Sequence, residues 1–158
     1  MSFSLDLSKA IEGVKGDRDK IARGTLAQLS SNVITRSPVG NPDLWVYNAG
    51  TKEEPRYVDY IAARGYPDDY VGGSLRGAWQ ASLDAPDYTE NNRVQDDEYG
   101  EANIEAAGVA NSMKIGQTFY LTNPLPYARR VEFGHSTQAA EGMVRVSLVE
   151  AQQVLDSQ

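Results

Sequence analysis

Apolar residues near the start of the chain recur at steps of three and four positions. The repeat comprises Leu7, Ile11, Val14, Ile21, Ala22, Thr25, Leu26, Leu29 and Val33. This spacing places them on one stripe of an α-helix. Pro38 disfavours helical backbone at the residue before it, so we predict an N-terminal helix over about residues 5–35. Gly13 and Gly16 each weaken a helix interior by about 1 kcal/mol relative to Ala, and the pattern therefore allows a kink or break near residues 15–20.

Between residues 39 and 73 the periodicity gives way to turn residues, mainly glycine and proline. The same segment carries Trp45 and five of the nine tyrosines in the chain. Loops of this length in a small domain are usually functional or disordered, and disordered segments are poor in aromatic residues. We interpret residues 39–73 as an insertion loop that packs against another surface.

Three later stretches predict β-strands. Residues 75–83 alternate apolar and polar positions, residues 102–107 alternate more weakly, and residues 117–123 are rich in aromatic and β-branched side chains before Pro124. The acidic segment between the first two strands would then be a hairpin loop.

The end of the chain predicts two helices. Pro126 suits the first position of a short helix, and Gly134 suits the left-handed residue that ends one. Val144, Leu148, Ala151 and Leu155 then recur at steps of four, three and four, as in a closing amphipathic helix. The short helix and the C-terminal helix occupy about residues 126–156.

This element order predicts an α+β fold in a single domain over residues 1–158. An antiparallel β-sheet of three or four strands, in about residues 74–123, is packed by the long N-terminal helix and the C-terminal helix. The long insertion loop interrupts the domain.

Charge and composition narrow the function classes. The net charge is −7, and residues 84–105 hold eight acids against Arg93, which accounts for all of it because the other charges balance. No cluster of Lys and Arg that could neutralise phosphates is present, so classical nucleic-acid binding is disfavoured.

The chain has no cysteine, which excludes disulfides and thiolate sites. No apolar run approaches the roughly 18 residues of a membrane span, and no signal-peptide pattern is present.

The sequence offers little catalytic chemistry. His135 is the only histidine, and we interpret it as a turn residue after Gly134 whose ring bonds to the backbone. Residues 72–76 miss the nucleophile elbow G-x-S-x-G because Arg76 replaces the second Gly. The acids at residues 96–101 do not match the spacing of an EF-hand. We predict no catalytic residue, no cofactor and no metal.

Residues 123–146 read NPLPYARRVEFGHSTQAAEGMVRV. This segment resembles the C-terminal motif of the tail-completion, or neck, proteins of long-tailed bacteriophages, in which P-Y-A-x-x-x-E-x-G is followed by S-x-Q-A-x-x-G-M-V-R and a closing helix. Residues 73–79, GSLRGAW, resemble the G-x-L-R-x-S-W strand of that family. The departures are Ala140, where Pro is common, the insertion loop and the acidic segment.

The resemblance implies a structural virion protein and not an enzyme. It would form a homo-oligomeric ring, expected to be a hexamer, between the head connector and the tail tube. Its partners would be other neck, connector and tail-tube proteins, with DNA passing through without specific binding and no membrane involved. Such a protein is assembled in the host cytoplasm and resides in the virion.

Two groups of residues are candidates for contacts in such a ring. Large aromatic and arginine side chains favour interfaces, and a short helix that buries one face leaves at least one of its two arginines outward. The subunit or layer interface would comprise Trp45, Tyr47, Tyr57, Tyr60, Tyr66, Tyr70, Arg129, Arg130, Glu132 and His135. An acidic loop facing the DNA channel would comprise Asp96, Asp97, Glu98 and Glu101.

Three alternatives remain open from the sequence. The first is a tail-tube terminator, which is a related ring. The others belong to different classes, namely a soluble binding module built on the aromatic loop and a small hydrolase.

Overall fold

The computed structural model describes residues 3–40, 72–95 and 100–157, which form an α+β fold as predicted. Its elements are α1 (Phe3–Arg36), α2 (Ser74–Gly77), β1 (Gln80–Leu83), α3 (Glu101–Ser112), β2 (Phe119–Thr122), α4 (Ala128–Glu132) and α5 (Val144–Asp156), with a 3₁₀ turn at Thr137–Ala139. The long first helix, the short helix and the closing helix all lie close to their predicted positions.

Helix α1 is continuous from Phe3 to Arg36. The break that the pattern allowed near residues 15–20 therefore does not occur. The helix ends within a residue or two of the predicted position, just before Pro38.

The C-terminal end of α1 is fixed by side chains from the second part of the chain. The Trp79 indole Nε1 donates to the Ser37 hydroxyl at 2.6 Å, and that hydroxyl donates to the Val33 carbonyl at 2.9 Å. The Arg76 guanidinium donates to the carbonyls of Thr35 at 2.8 Å and Ser37 at 3.2 Å. Because helix C-termini leave carbonyls without intrahelical donors, these bonds join α1 to α2 and β1.

The predicted strand at residues 102–107 is wrong, because these residues lie in helix α3. Ala102, Ala106 and Ala110 are fully buried at steps of four, which is the spacing of one helix face. The apparent alternation was short and alanine-rich, and Ala favours helix over strand. The Gln95 side chain accepts the Ala102 N–H at 3.0 Å near the helix start.

The sheet within the described residues has two strands, so three or four strands are not confirmed. β1 and β2 pair antiparallel, with Gln80 opposite Thr122 and Leu83 opposite Phe119. The second of these strands lies within predicted residues 117–123, whereas the first half of predicted strand 75–83 is helix α2. The acidic segment connects β1 to α3 and is not a hairpin.

One hydrophobic core joins these elements. Helix α1 packs against α3 and α5, and α3 packs against β1. The buried cluster comprises Val33, Ile34, Leu75, Trp79, Ala102, Ala106, Ala139 and Met143. The segment between β2 and α5 is therefore anchored to the core through Ala139 and Met143.

Candidate functional site

The junction between α4 and α5 is centred on the Glu132 carboxylate. Oε2 accepts the backbone N–H groups of Met143 at 2.7 Å and Val144 at 2.8 Å, and Oε1 accepts that of Arg145 at 3.0 Å. The Arg145 guanidinium donates to Oε1 at 3.2 Å and to the Glu132 carbonyl at 2.7 Å. Glu132 therefore caps the start of α5, where backbone N–H groups otherwise lack acceptors. The predicted interface role of this residue stays a prediction.

The charge on Glu132 is stabilised by this arrangement. Partial burial opposes ionisation and is the largest single influence on the pKa of Glu132. The backbone bonds from Val144, Arg145 and Met143, with the Arg145 side chain, together outweigh it and hold the pKa below its usual value. The carboxylate is consequently ionised at neutral pH.

Two glycines permit the tight path of the chain around Glu132. Gly134 has φ 86° and ends α4, as predicted, and Gly142 has φ 88° before α5. A Cβ at Gly142 would lie 2.7 Å from both the Glu132 carbonyl oxygen and its Oε1. Only glycine fits there without moving the cap.

The outer side of the junction presents an exposed aromatic ring among arginines. Phe133 is 59% exposed, and the guanidinium carbons of Arg129 and Arg145 lie over its ring at 6.0 and 5.3 Å from the centroid. Arg130 is also exposed. We call Arg129, Arg130, Phe133 and Arg145 the basic-aromatic platform. Both arginines of α4 reach solvent, as the short-helix argument expected of at least one.

His135 has the turn role that its sequence position indicated. Its Nδ1 lies 3.0 Å from the Arg130 carbonyl oxygen, and its backbone N–H donates to the same oxygen at 3.1 Å. The ring is exposed. His135 thus closes the turn after Gly134 and stays beside the platform.

The acidic segment is described only in part. Asp96, Asp97 and Glu98 lie outside the described residues, while Glu101 is exposed in the first turn of α3. Of the remaining acids, Glu105 pairs with Arg93 at 2.5 Å.

The insertion loop falls largely outside the described residues, which include neither Trp45 nor the tyrosines at 47, 57, 60, 66 and 70. Its two ends are described, and they meet. Gly72 lies so close to Gly40 that a Cβ on Gly72 would lie 1.8 Å from the Gly40 carbonyl oxygen. The chain positions on either side of residues 41–71 are therefore neighbours in space.

Helix α5 exposes two of the apolar side chains whose spacing predicted an amphipathic helix. Ser147 is fully buried, whereas Leu148 and Leu155 are 50% and 44% exposed. Arg36 of α1 donates to the Ser147 hydroxyl at 2.9 Å and to Glu150 at 2.6 Å. These bonds join one face of α5 to α1, and the two leucines remain about half exposed.

Residues 3–40, 72–95 and 100–157 contain two depressions. A depression of about 220 Å³ is lined mainly by residues 90–94 with Ser74 and Leu125, and a second of about 110 Å³ lies between α1 and α5. Across the same ranges no three His, Cys, Asp or Glu side chains are grouped to hold a metal ion, and no helix is long and apolar enough to cross a membrane.

Sequence reasoning missed the exposure of Phe133 and the capping role of Glu132. The sequence allowed Phe133, Tyr127 and Met143 to be either core or contact residues, and favoured the core. In the structure Met143 is buried, whereas Phe133 and Tyr127 are exposed. The capping role could have been inferred from the sequence, because Glu132 precedes the Gly-Met-Val-Arg segment at which a helix begins. A carboxylate stabilises the N-terminus of a helix.

Comparisons of the chain with models of protein families, with characterised proteins and with solved structures gave no significant match.

Proposed function

We propose that this chain is a structural subunit of the neck of a long-tailed bacteriophage, a tail-completion or head–tail joining protein. In this role it forms a ring between the head connector and the tail tube and acts by binding its neighbours. The observation that carries the proposal is the segment 123–146, because its sequence resembles the family motif and its residues build one defined junction.

The motif residues have internal roles that explain why they occur together. Glu132 caps α5, Gly142 leaves room for that carboxylate, and Met143 enters the core. A resemblance in these residues is therefore a resemblance in the shape of the junction. A shared shape favours a shared mode of assembly over a shared reaction.

The surfaces around the junction suit contact between proteins. The basic-aromatic platform and the exposed leucines of α5 are adjacent to it in sequence, and interfaces are enriched in aromatic and arginine side chains. The aromatic insertion would add a contact to a ring neighbour or an adjacent layer. In the assembled ring, an acidic loop that includes Asp96, Asp97, Glu98 and Glu101 would face the channel. Its charges would repel DNA phosphates within about 8 Å at physiological salt.

Genetic removal of the chain from the phage that encodes it tests this function. A nonsense mutation should yield filled heads and complete tails that do not join, and wild-type protein supplied in trans should restore joined particles. Tails of abnormal length or with unsealed ends would instead assign the chain to the tail-tube terminator. Normal, infectious particles without the chain would contradict the proposal.

A further inference from the structure

We infer that the basic-aromatic platform of one subunit binds the loop of residues 84–90 of a second copy of this chain. The inference rests on the ring assembly of the proposed function and adds to it the two surfaces that meet. In a ring, each copy gives its platform to one neighbour and its 84–90 loop to the other, which is a head-to-tail contact.

The platform presents positive charge and an exposed ring together. Glu132 pairs with Arg145 at 3.2 Å, whereas no carboxylate of the described residues pairs with Arg129 or Arg130. The Phe133 ring, more than half exposed, lies beneath two guanidinium groups. A surface of this kind suits carboxylates, which arginine binds in a bidentate manner, together with a second aromatic ring.

The loop of residues 84–90 has the complementary chemistry. Asp84, Asp87 and Glu90 are all exposed, and Tyr88 between them is 66% exposed. The pKa of Asp87 is held below its usual value, chiefly by the hydrogen bond from the Thr89 backbone N–H. The loop therefore offers a tyrosine ring flanked by exposed carboxylates.

The backbone of this loop is already ordered for binding. The Gln80 side-chain amide donates to the carbonyls of Asp87 at 3.0 Å and Thr89 at 2.9 Å. The Asp87 carboxylate accepts the Thr89 N–H at 2.9 Å. A fixed backbone lowers the entropy lost on binding, so the exposed side chains are presented in one arrangement.

A second copy fits the platform better than nucleic acid does. Phosphates would also attract Arg129 and Arg130, but the chain carries a net charge of −7 and would repel a polyanion at most approaches. The loop supplies the opposite charge and the aromatic partner from the same chain. Among the described residues no ion pair joins the loop to the platform within one subunit, so both surfaces remain available to a neighbour.

A charge swap tests the contact. One variant carries Arg129→Glu with Arg130→Glu, and the other carries Asp87→Lys with Glu90→Lys. Of the four side chains, Asp87 accepts the Thr89 N–H and Arg129 lies over the Phe133 ring. All four are exposed, so the fold should persist, as circular dichroism would verify. Lys114→Glu and Glu141→Lys, at exposed positions outside both surfaces, serve as matched controls.

Sedimentation velocity at about 50 and about 500 mM salt is the readout, because screening weakens contacts between exposed charges. We expect wild type to self-associate more strongly at low salt and each double variant to associate at least about tenfold more weakly. Mixing the two variants, or combining all four changes in one chain, should restore association. The controls should match wild type.

Several results would overturn the inference. Wild type that remains monomeric at about 1 mM in low salt, variants that associate like wild type, or mixtures that do not recover would each reject it. Loss of binding to a 20-base-pair DNA by the arginine variant, with unchanged self-association, would assign the platform to nucleic acid.

A second readout works in assembled particles and separates this inference from the proposed function. The chain has no cysteine, so Tyr88→Cys combined with Phe133→Cys should give a ladder of disulfide-linked oligomers on oxidation. A ring of this chain in particles without such a ladder would reject the contact and leave the neck function standing. Particles without adjacent copies of the chain would reject both.

Discussion

Replacing Glu132 with alanine should destabilise the whole domain although the residue lies in a short helix at the surface. The change removes the acceptor of three backbone N–H groups at the start of α5 and the partner of Arg145. Loss of a helix cap costs about 0.5–2 kcal/mol, and a negative charge at a helix N-terminus contributes about 0.3–1 kcal/mol. We expect the free energy of unfolding to fall by about 2 kcal/mol, because α5 packs on α1 and the loss is not local.

Thermal unfolding followed by circular dichroism at pH 7 measures this effect. For a domain of this size, about 2 kcal/mol corresponds to a decrease in Tm of about 4–8 °C. Glu141→Ala, an exposed position in the same segment, is the matched control and should change Tm by less than about 2 °C. A Glu132→Ala variant as stable as wild type would refute the capping role.

The pH dependence gives a second check on the same residue. The folded pKa of Glu132 is below its unfolded value, so its stabilisation is present above the unfolded pKa, near 4.3, and is lost as pH falls through the folded pKa. The stability difference between wild type and Glu132→Gln should therefore be full at pH 7 and shrink below about pH 4. A difference that stays constant to pH 3 would show that charge is not involved.

Three further predictions concern the backbone and the two long loops. Gly142→Ala should lower the free energy of unfolding by about 2 kcal/mol or more, because Gly142 has a positive φ and lies against Glu132. Gly108→Ala is the control, since Gly108 occupies an open helical position. It should leave stability unchanged or raise it by up to about 1 kcal/mol. Replacing residues 41–71 by a short Gly-Ser linker should leave the domain folded by circular dichroism, since the ends meet; loss of cooperative unfolding would contradict this. Reversing the charges at positions 96–98 to Lys should leave a soluble, folded subunit but slow DNA exit from particles; wild-type genome delivery would argue against a role in the channel.

Sequence patterns predicted the helices better than the strands. Long periodicity located α1, and Pro38 located its end. The alternation at residues 102–107 was misleading because the segment is short and rich in alanine. The preference of alanine for helix and the packing of α3 on α1 both favour the helix. The turn at Gly73, with φ 113°, also directs residues 74–77 into a helix that the period-two pattern concealed.

The position of the candidate site could be predicted from the sequence, but the contacts that build it could not. The segment containing Glu132 and His135 was singled out, and the turn role of His135 was predicted correctly. The capping by Glu132 and the exposure of Phe133 depend on how α5 is oriented. Contacts between residues far apart in the chain, such as those of Arg36 with Ser147 and Glu150, hold α5 against α1. Local patterns do not encode such contacts.

Imaging of intact particles by electron cryo-microscopy tests the central claim most directly. The proposal predicts a closed ring of copies of this chain between the head connector and the tail tube, expected to be a hexamer, with each subunit touching the next. A particle with a single copy that contacts no other copy, or with no copy at the head–tail junction, would contradict it.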